Sequence, residues 1–158
     1  MLRRLKREDH KGEALMKEML SVLVADEHFQ DNARPGFLVN PLTGERLEFD
    51  RWYINARVAF EFNGAQHYTA TEHFPDEAEV RQQRARDLMK EALARQQGIR
   101  LVAVHSRDLT FQRLGKLAAR FLPVRQPVSE DPVVKTLNRL SRAYIRRAGL
   151  GTAMRFRM

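Results

Sequence analysis

A chain of 158 residues, 43% of them hydrophobic, is long enough to bury one core, so wholesale disorder is not expected. It contains no cysteine, which excludes disulfide scaffolds and thiolate zinc sites and agrees with a cytoplasmic location. The 28 lysines and arginines outnumber the 20 aspartates and glutamates, and the net charge of +8 favours a polyanionic partner, above all nucleic acid.

The first half of the chain predicts a helix followed by a β-hairpin. Residues 1–12 are highly charged and are expected to fray, whereas apolar residues recur at helical spacing from Glu13 to about Val24. Breakers at 31–36 predict a loop. Alternation predicts strands from Arg46 to Tyr53 and from Val58 to Phe62, joined by a turn into an antiparallel hairpin. The apolar stripe of the helix comprises Leu15, Met16, Met19, Leu20 and Leu23.

The second half predicts helices around one further strand. A long helix from Asp76 to Gln97 ends at Gly98. The apolar stretch Ile99–Val104 predicts a strand at the buried centre of a sheet, and a short helix follows at 109–121. The order helix, hairpin, helix, strand, helix predicts a small α/β domain with a mixed β-sheet flanked by helices.

A basic helix is predicted at 133–147, after a linker at 123–132. Its expected apolar face carries Val133, Leu137, Leu140 and Tyr144. Its cations suit the phosphate backbone of a nucleic acid, to which binding weakens with salt; they are Lys135, Arg139, Arg142, Arg146 and Arg147. The helix could instead dock on the domain or on an acidic protein. A narrow apolar face without tryptophan disfavours a membrane surface, and no apolar run approaches the roughly 18 residues of a membrane span.

Two acidic residues of the predicted hairpin are the candidate catalytic centre. Asp50 lies on the first strand, and Glu61 lies near the end of the second. Phosphodiester hydrolysis needs an activated water, a Lewis acid and a stabilised leaving oxygen, and carboxylates on neighbouring strands can hold Mg²⁺ for these tasks. The alternative is a surface pair in a salt-bridged hairpin. Because these acids lie in a basic chain, we predict a metal-dependent nuclease.

Four motifs follow one another along residues 12–108. They are Gly12-Glu-Ala-Leu-Met16, Leu47-Glu-Phe-Asp50, Phe60-Glu-Phe-Asn-Gly-Ala-Gln-His-Tyr68, and Arg86-Asp87-Leu-Met-Lys90 with Gly98-Ile-Arg-Leu-Val-Ala-Val104. In this order they resemble the PD-(D/E)XK nuclease superfamily, the restriction-endonuclease-like fold, and its very-short-patch-repair-like and phage or homing endonuclease branches. The resemblance implies a nuclease-like domain at 1–122, followed by the linker at 123–132 and the basic helix and tail at 133–158.

The resemblance also implies an endonuclease that hydrolyses DNA with Mg²⁺ or Mn²⁺, and a homodimer as one way to cut two strands. The metal ligands that it implies are Glu13, Asp50 and Glu61. The family places a lysine two residues after the second acid, to orient water or stabilise developing charge, and this chain has Asn63 there. The candidate replacements are Lys90, Gln66 and His67, with Asp87 as a carboxylate that supports His67 in proton transfer.

Other interpretations of the same residues stay open. Without the motif lysine, the chain could be a catalytically inactive nucleic-acid-binding module of the same fold. His67 and His73 with Glu72 could form a zinc site, although their spacing matches no strong zinc pattern. Trp52 and Tyr53 flank Asp50 and could stack on a base, but half-buried strand aromatics are the better interpretation.

Overall fold

The structure is a computed structural model that describes residues 2–64 and 77–150, with side chains for 10–64 and 77–148. The chain divides into two units. The helical unit comprises residues 2–27, 62–64 and 104–150, and the sheet unit comprises residues 28–61 and 77–103. The predicted α/β class is confirmed, with four α-helices and one four-stranded mixed sheet in the described chain. None of the described helices is long and apolar enough to cross a membrane.

The sheet has the order β1-β2-β3-β4. Its strands are β1 Phe29–Ala33, β2 Phe49–Tyr53, β3 Val58–Asn63 and β4 Arg100–His105. Strands β1 and β2 are antiparallel, and so are β2 and β3, which confirms the predicted hairpin. The turn between β2 and β3 is closed by a hydrogen bond from the Arg57 N–H to the Ile54 carbonyl at 3.3 Å.

Apolar side chains of the sheet unit form one core cluster beneath β2 and β3. It contains Ala33, Leu38, Leu47, Phe49, Ala59, Ala94 and Ile99, all buried. Strands with one buried face alternate apolar and polar residues, and Leu47 and Phe49 follow that period. The cluster therefore holds the hairpin that carries Asp50 and Glu61.

Two predictions about the strands are wrong. The predicted loop at 31–36 begins inside β1, because Asp31–Ala33 pair with β2. Its polar composition reflects an exposed edge strand and a positive φ of 51° at Asn32, both of which also suit a loop. Strand β4 lies at an edge of the described sheet rather than at its centre. An apolar run does not reveal whether a strand has one neighbour or two, and Val104 is the only buried residue of β4.

Helix α2 spans Glu77–Gln96, close to the predicted 76–97. Its end is fixed by Gly98, whose φ of +70° places it in the left-handed region. The Gly98 N–H donates to the Arg95 carbonyl at 3.0 Å, and the Ile99 N–H donates to the Ala94 carbonyl at 2.9 Å. These two hydrogen bonds are those of a Schellman motif, which confirms the prediction that α2 ends at Gly98.

Three helices build the helical unit: α1 Leu2–Leu23, α3 Phe111–Ala119 and α4 Pro132–Ile145. Helix α1 packs against α3 and α4. All five residues of its predicted apolar stripe are buried, which confirms the stripe. The predicted start at Glu13 is wrong, because the charged residues before it continue the helix. Leucine, lysine, arginine and glutamate are good helix formers, and their charge does not prevent a helix.

The segment after α3 is partly tied to α1. The Ala25 N–H donates to the Pro123 carbonyl at 3.1 Å, and the Arg125 N–H donates to the Leu23 carbonyl at 2.6 Å. Helix α4 begins after Asp131, whose side chain caps it by accepting a hydrogen bond from the Val133 N–H at 2.8 Å.

The predicted apolar face of α4 is wrong at two of its four positions. The buried residues are Val134, Leu137, Ser141 and Tyr144. Val133 and Leu140 are 55% and 43% exposed. Both the predicted and the observed sets of positions fit a helical stripe. The observed positions Val134 and Ser141 each follow a predicted position by one residue, which is about 100° around the helix axis. Packing against α1 selects between them.

Candidate active site

Asp50 and Glu61 face each other across strands β2 and β3. The register pairs Arg51 with Phe60, so its continuation places Asp50 opposite Glu61. Each residue is 9% exposed. The backbone N–H of Asp50 hydrogen-bonds the Glu61 carboxyl group, and the two side chains also share a hydrogen bond. Two carboxyl groups on adjacent strands can offer their oxygens to one cation.

Lys90 reaches this pair of acids from α2. Its Nζ donates to Glu61 Oε1 at 3.1 Å, and the lysine and glutamate side chains are only 14% and 11% exposed. Of the three candidate replacements for the motif lysine, the structure brings Lys90 to the acids. Gln66 and His67 lie outside the described residues, as do Glu72 and His73. The sheet unit therefore assembles Asp50, Glu61 and Lys90 into one site.

The Glu61 carboxyl group is the electrostatic centre of the site. Burial raises the pKa of Glu61 above its ordinary value, although Lys90 and the hydrogen bonds from Asp50 act in the opposite direction. Desolvation therefore outweighs one lysine as countercharge. A second positive charge beside Glu61 would stabilise its ionised form, which makes the site suitable for a cation.

The donor set at this position fits Mg²⁺ or Mn²⁺. Carboxylate oxygens are the hard ligands that Mg²⁺ prefers, and one or two of them commonly suffice when waters and phosphate oxygens complete the shell. In the part of the chain that the structure describes, no group of three or more histidine, cysteine, aspartate or glutamate residues could hold a metal. Among the described residues, the candidate site offers two carboxylates, Asp50 and Glu61.

Two further predicted site residues have other contacts. Asp87 lies on α2, where its carboxylate accepts a hydrogen bond from Gln83 Nε2 at 3.1 Å. Glu13 lies on α1 in the helical unit and accepts a hydrogen bond from Lys17 Nζ at 3.0 Å. Glu13 and Asp87 thus each have a partner on their own helix.

Arg51, next to Asp50, was not among the predicted site residues. It is 3% exposed, and its guanidinium Nε and Nη2 donate to the two carboxylate oxygens of Asp31 at 2.6 and 3.0 Å. The same guanidinium lies 3.9 Å from the centre of the Phe29 ring. The sequence gives one indication of this role: Arg51 continues the alternating positions of Leu47 and Phe49, which are the positions expected to be buried in a strand. Through these contacts with Asp31 and Phe29, Arg51 stabilises the pairing of β1 with β2, the strand that carries Asp50.

The aromatic residues beside Asp50 have structural contacts. The Trp52 ring packs against Phe37 and Phe49 at centroid distances of 5.9 and 6.1 Å. Tyr53 is fully buried and packs against Phe60 at 5.8 Å. These contacts agree with the strand-aromatic interpretation, because rings held in this way cannot also stack on a base without rearrangement.

Several viral proteins are similar to this chain. The uncharacterized protein 033L of Invertebrate iridescent virus 3 is 37% identical over 73 residues, which cover 46% of this chain and 38% of that protein. The uncharacterized protein 307L of Invertebrate iridescent virus 6 is 33% identical over 111 residues, covering 61% of this chain and 56% of that protein.

The uncharacterized protein 094L of Frog virus 3 is 32% identical over 98 residues, which cover 61% of this chain and 62% of that protein. The chain thus spans between 38% and 62% of the length of these relatives. No protein-family model and no solved structure matches it. What the comparisons establish is similarity to a set of iridescent-virus and frog-virus proteins whose names state no activity.

Proposed function

We propose that this protein is a metal-dependent endonuclease that hydrolyses DNA phosphodiester bonds on a restriction-endonuclease-like fold. The observation that carries the proposal is the buried pair Asp50 and Glu61 on adjacent strands, with the Lys90 ammonium 3.1 Å from Glu61. The spacing of the motifs in the sequence supports the same assignment.

Each residue has a distinct role in this proposal. Asp50 and Glu61 hold Mg²⁺ or Mn²⁺, which when bound polarises a phosphoryl oxygen and lowers the pKa of a bound water. Lys90 takes the part of the motif lysine, because its ammonium group contacts the second acid although it comes from α2 rather than from β3. At that position it orients the attacking water and stabilises the negative charge that develops on the phosphoryl group.

The energetic cost of the site favours function over a structural ion pair. Two buried carboxyl groups lie on adjacent strands with Lys90 paired to Glu61, and the raised pKa of Glu61 indicates that the cost of burial is only partly offset. Apolar residues of similar volume are often as stabilising as a buried ion pair, or more so. A site that stores such a cost is typical of catalytic and metal-binding positions.

A cleavage assay tests the proposal. Supercoiled plasmid and a branched DNA would be incubated with Mg²⁺, Mn²⁺ or EDTA and with wild type, Asp50→Asn or Glu61→Gln. We expect metal-dependent cutting by wild type and a loss of at least about 100-fold in both variants, because each removes a ligand charge. Glu48→Gln is the matched control: Glu48 immediately precedes the same strand, but its carboxylate pairs with Arg34 at 2.9 Å.

Two outcomes would contradict this assignment. Full activity in Asp50→Asn or Glu61→Gln would remove the site, and equal losses in Glu48→Gln would show that the effect is not local. A second candidate function, a catalytically inactive nucleic-acid-binding module, is favoured by Asn63 at the motif-lysine position. It would take precedence if wild type bound DNA but did not cut it with either metal, and if calorimetry found no Mn²⁺ binding.

A further inference from the structure

Helix α4 carries a shallow groove that is lined by basic side chains. The groove has a volume of about 320 Å³ and is lined by Lys135, Asn138, Arg139, Arg142 and Arg146. All but Asn138 are exposed to solvent. Arg147, the fifth cation of the predicted basic helix, is exposed but does not line the groove. Four positive charges therefore converge on one surface of the helical unit.

The groove lies on the side of α4 that faces away from its packed side. At about 100° per residue, the four cations fall within a sector of about 60°, and the buried residues are centred about 150° from it. Buried Val134, Leu137 and Tyr144 hold α4 in the helical unit, and the Tyr144 ring packs against Phe62 at 6.1 Å. Packing thus fixes the orientation of the basic face.

Most of these cations have no acidic partner within the described residues. Lys135 lies 3.8 Å from Glu130, at an exposed position where such a pair contributes little. Arg139, Arg142 and Arg146 form no hydrogen bond or ion pair through their side chains with any described group. Like charges on neighbouring turns repel each other, so this arrangement is unfavourable until an anion binds.

We propose that the α4 groove binds the phosphodiester backbone of a nucleic acid duplex, independently of base sequence. Lys135 and Arg146 are eleven residues apart, which corresponds to about 16 Å along the helix. A strand of duplex DNA presents a phosphate about every 3.4 Å along its axis, so this length faces about five phosphates. Guanidinium groups are well suited to such contacts, because they donate two parallel hydrogen bonds to a phosphate.

The composition of the groove favours a duplex over other polyanions. Binding of single strands relies on aromatic platforms, and none of the five lining residues is aromatic. Membrane-surface helices bury an apolar face in lipid, but the apolar side of α4 is already buried in the protein, and exposed Val133 and Leu140 lie beside that side rather than beside the groove. A regular row of phosphates also matches cations repeated every three or four residues.

This inference supplies the partner of the proposed nuclease and rests on that proposed function for its biological context. Its test is binding without metal, so it can fail or succeed separately from cleavage. The full chain would be titrated in EDTA against a labelled DNA duplex of about 30 base pairs, by fluorescence anisotropy, between about 50 and 200 mM salt. An RNA duplex, a single strand, anionic phosphatidylserine vesicles and polyglutamate would be titrated in parallel.

The decisive variant is Arg139→Gln/Arg142→Gln/Arg146→Gln. We expect it to bind the DNA duplex about 100-fold more weakly near 0.1 M salt, and to reduce the slope of log K against log salt by about 2.7, which is 0.9 for each lost phosphate contact. The matched control removes three exposed cations from other surfaces of the same unit, Lys116→Gln/Arg120→Gln/Arg125→Gln, and should change affinity by less than about 3-fold. Circular dichroism melts would verify that both variants fold.

The outcomes separate the possibilities. Equal binding of DNA and RNA duplexes, with loss only in the groove variant, supports the inference even if no cleavage is found. Equal losses in the two triple variants would overturn it, because affinity would then follow net charge. Preferred binding of the single strand, of vesicles or of polyglutamate would overturn it as well, in favour of a different occupant.

Discussion

Replacement of Lys90 by methionine would leave the Glu61 carboxylate in its buried site without its countercharge. Loss of one member of a buried ion pair costs about 3–5 kcal/mol of unfolding free energy. Glu61 can escape part of this cost by taking up a proton. From an ordinary glutamate pKa of about 4.3, that protonation costs about 3.7 kcal/mol at pH 7 and about 1 kcal/mol at pH 5. Because the lysine and glutamate side chains keep 14% and 11% exposure, we expect a loss of about 2–3 kcal/mol at pH 7 and less than about 1 kcal/mol at pH 5.

Urea unfolding followed by circular dichroism, in EDTA at both pH values, measures this difference. Lys90→Met keeps most of the aliphatic volume, so its effect reports charge rather than packing. Lys90→Met/Glu61→Gln is the control, because removal of the buried charge should restore most of the lost stability at pH 7. A loss below about 0.5 kcal/mol at pH 7, or an equal loss at both pH values, would refute the assignment of a buried Lys90–Glu61 pair.

Three further predictions concern stability. Gly12→Ala places a Cβ into the Phe62 ring and 2.6 Å from the Tyr144 hydroxyl, so thermal melts should show a loss of about 1–3 kcal/mol in the free energy of unfolding. The control Gly115→Ala, whose Cβ has its nearest contact at 3.5 Å, should be neutral or stabilising, and equal effects of the two variants would contradict this packing. Because the pKa of Glu61 is raised, its contribution to stability is present at low pH and is lost as pH rises through the folded-state pKa. In EDTA, the urea midpoint of wild type relative to that of Glu61→Gln should therefore fall between acidic pH and pH 7, and a relative midpoint that rises with pH would contradict the direction of the shift. Asp31→Ala should lower the free energy of unfolding by about 3–5 kcal/mol, because it leaves the Arg51 guanidinium unpaired in a 4% exposed site. Arg51→Met should lower it by only about 2–3 kcal/mol, because the Asp31 carboxylate that it leaves is 36% exposed. The reverse order in urea titrations would refute the argument.

The parts of the fold that were predictable depend on local patterns. The hairpin of β2 and β3 follows from alternating residues around a turn, and its register alone places Asp50 opposite Glu61. The end of α2 follows from Gly98, which has the positive φ that other residues avoid. Each of these features is set within a few residues of the position that reveals it.

The parts that were not predictable depend on tertiary contacts. Lys90 lies 29 residues from Glu61, and only the tertiary contact of α2 with β3 brings its ammonium group to the Glu61 carboxyl group. The buried role of Arg51 depends on Asp31, which looked like a loop residue in the sequence. The apolar face of α4 was assigned with an error because Val133 and Val134 fit a stripe equally well. Contacts with other elements, not periodicity, decide between such alternatives.

The order in which the chain is synthesised constrains how its two units can fold. Residues 28–103 contribute every segment of the sheet unit, so that unit can complete its contacts while later residues are still being added. Helix α1 is synthesised before two of its helical partners, α3 and α4, which follow about a hundred residues later. The buried apolar face of α1 therefore lacks these two partners until α3 and α4 have been synthesised. A chain cut short before α4 would leave exposed the part of α1 that α4 covers, and we expect it to aggregate more readily than the full chain.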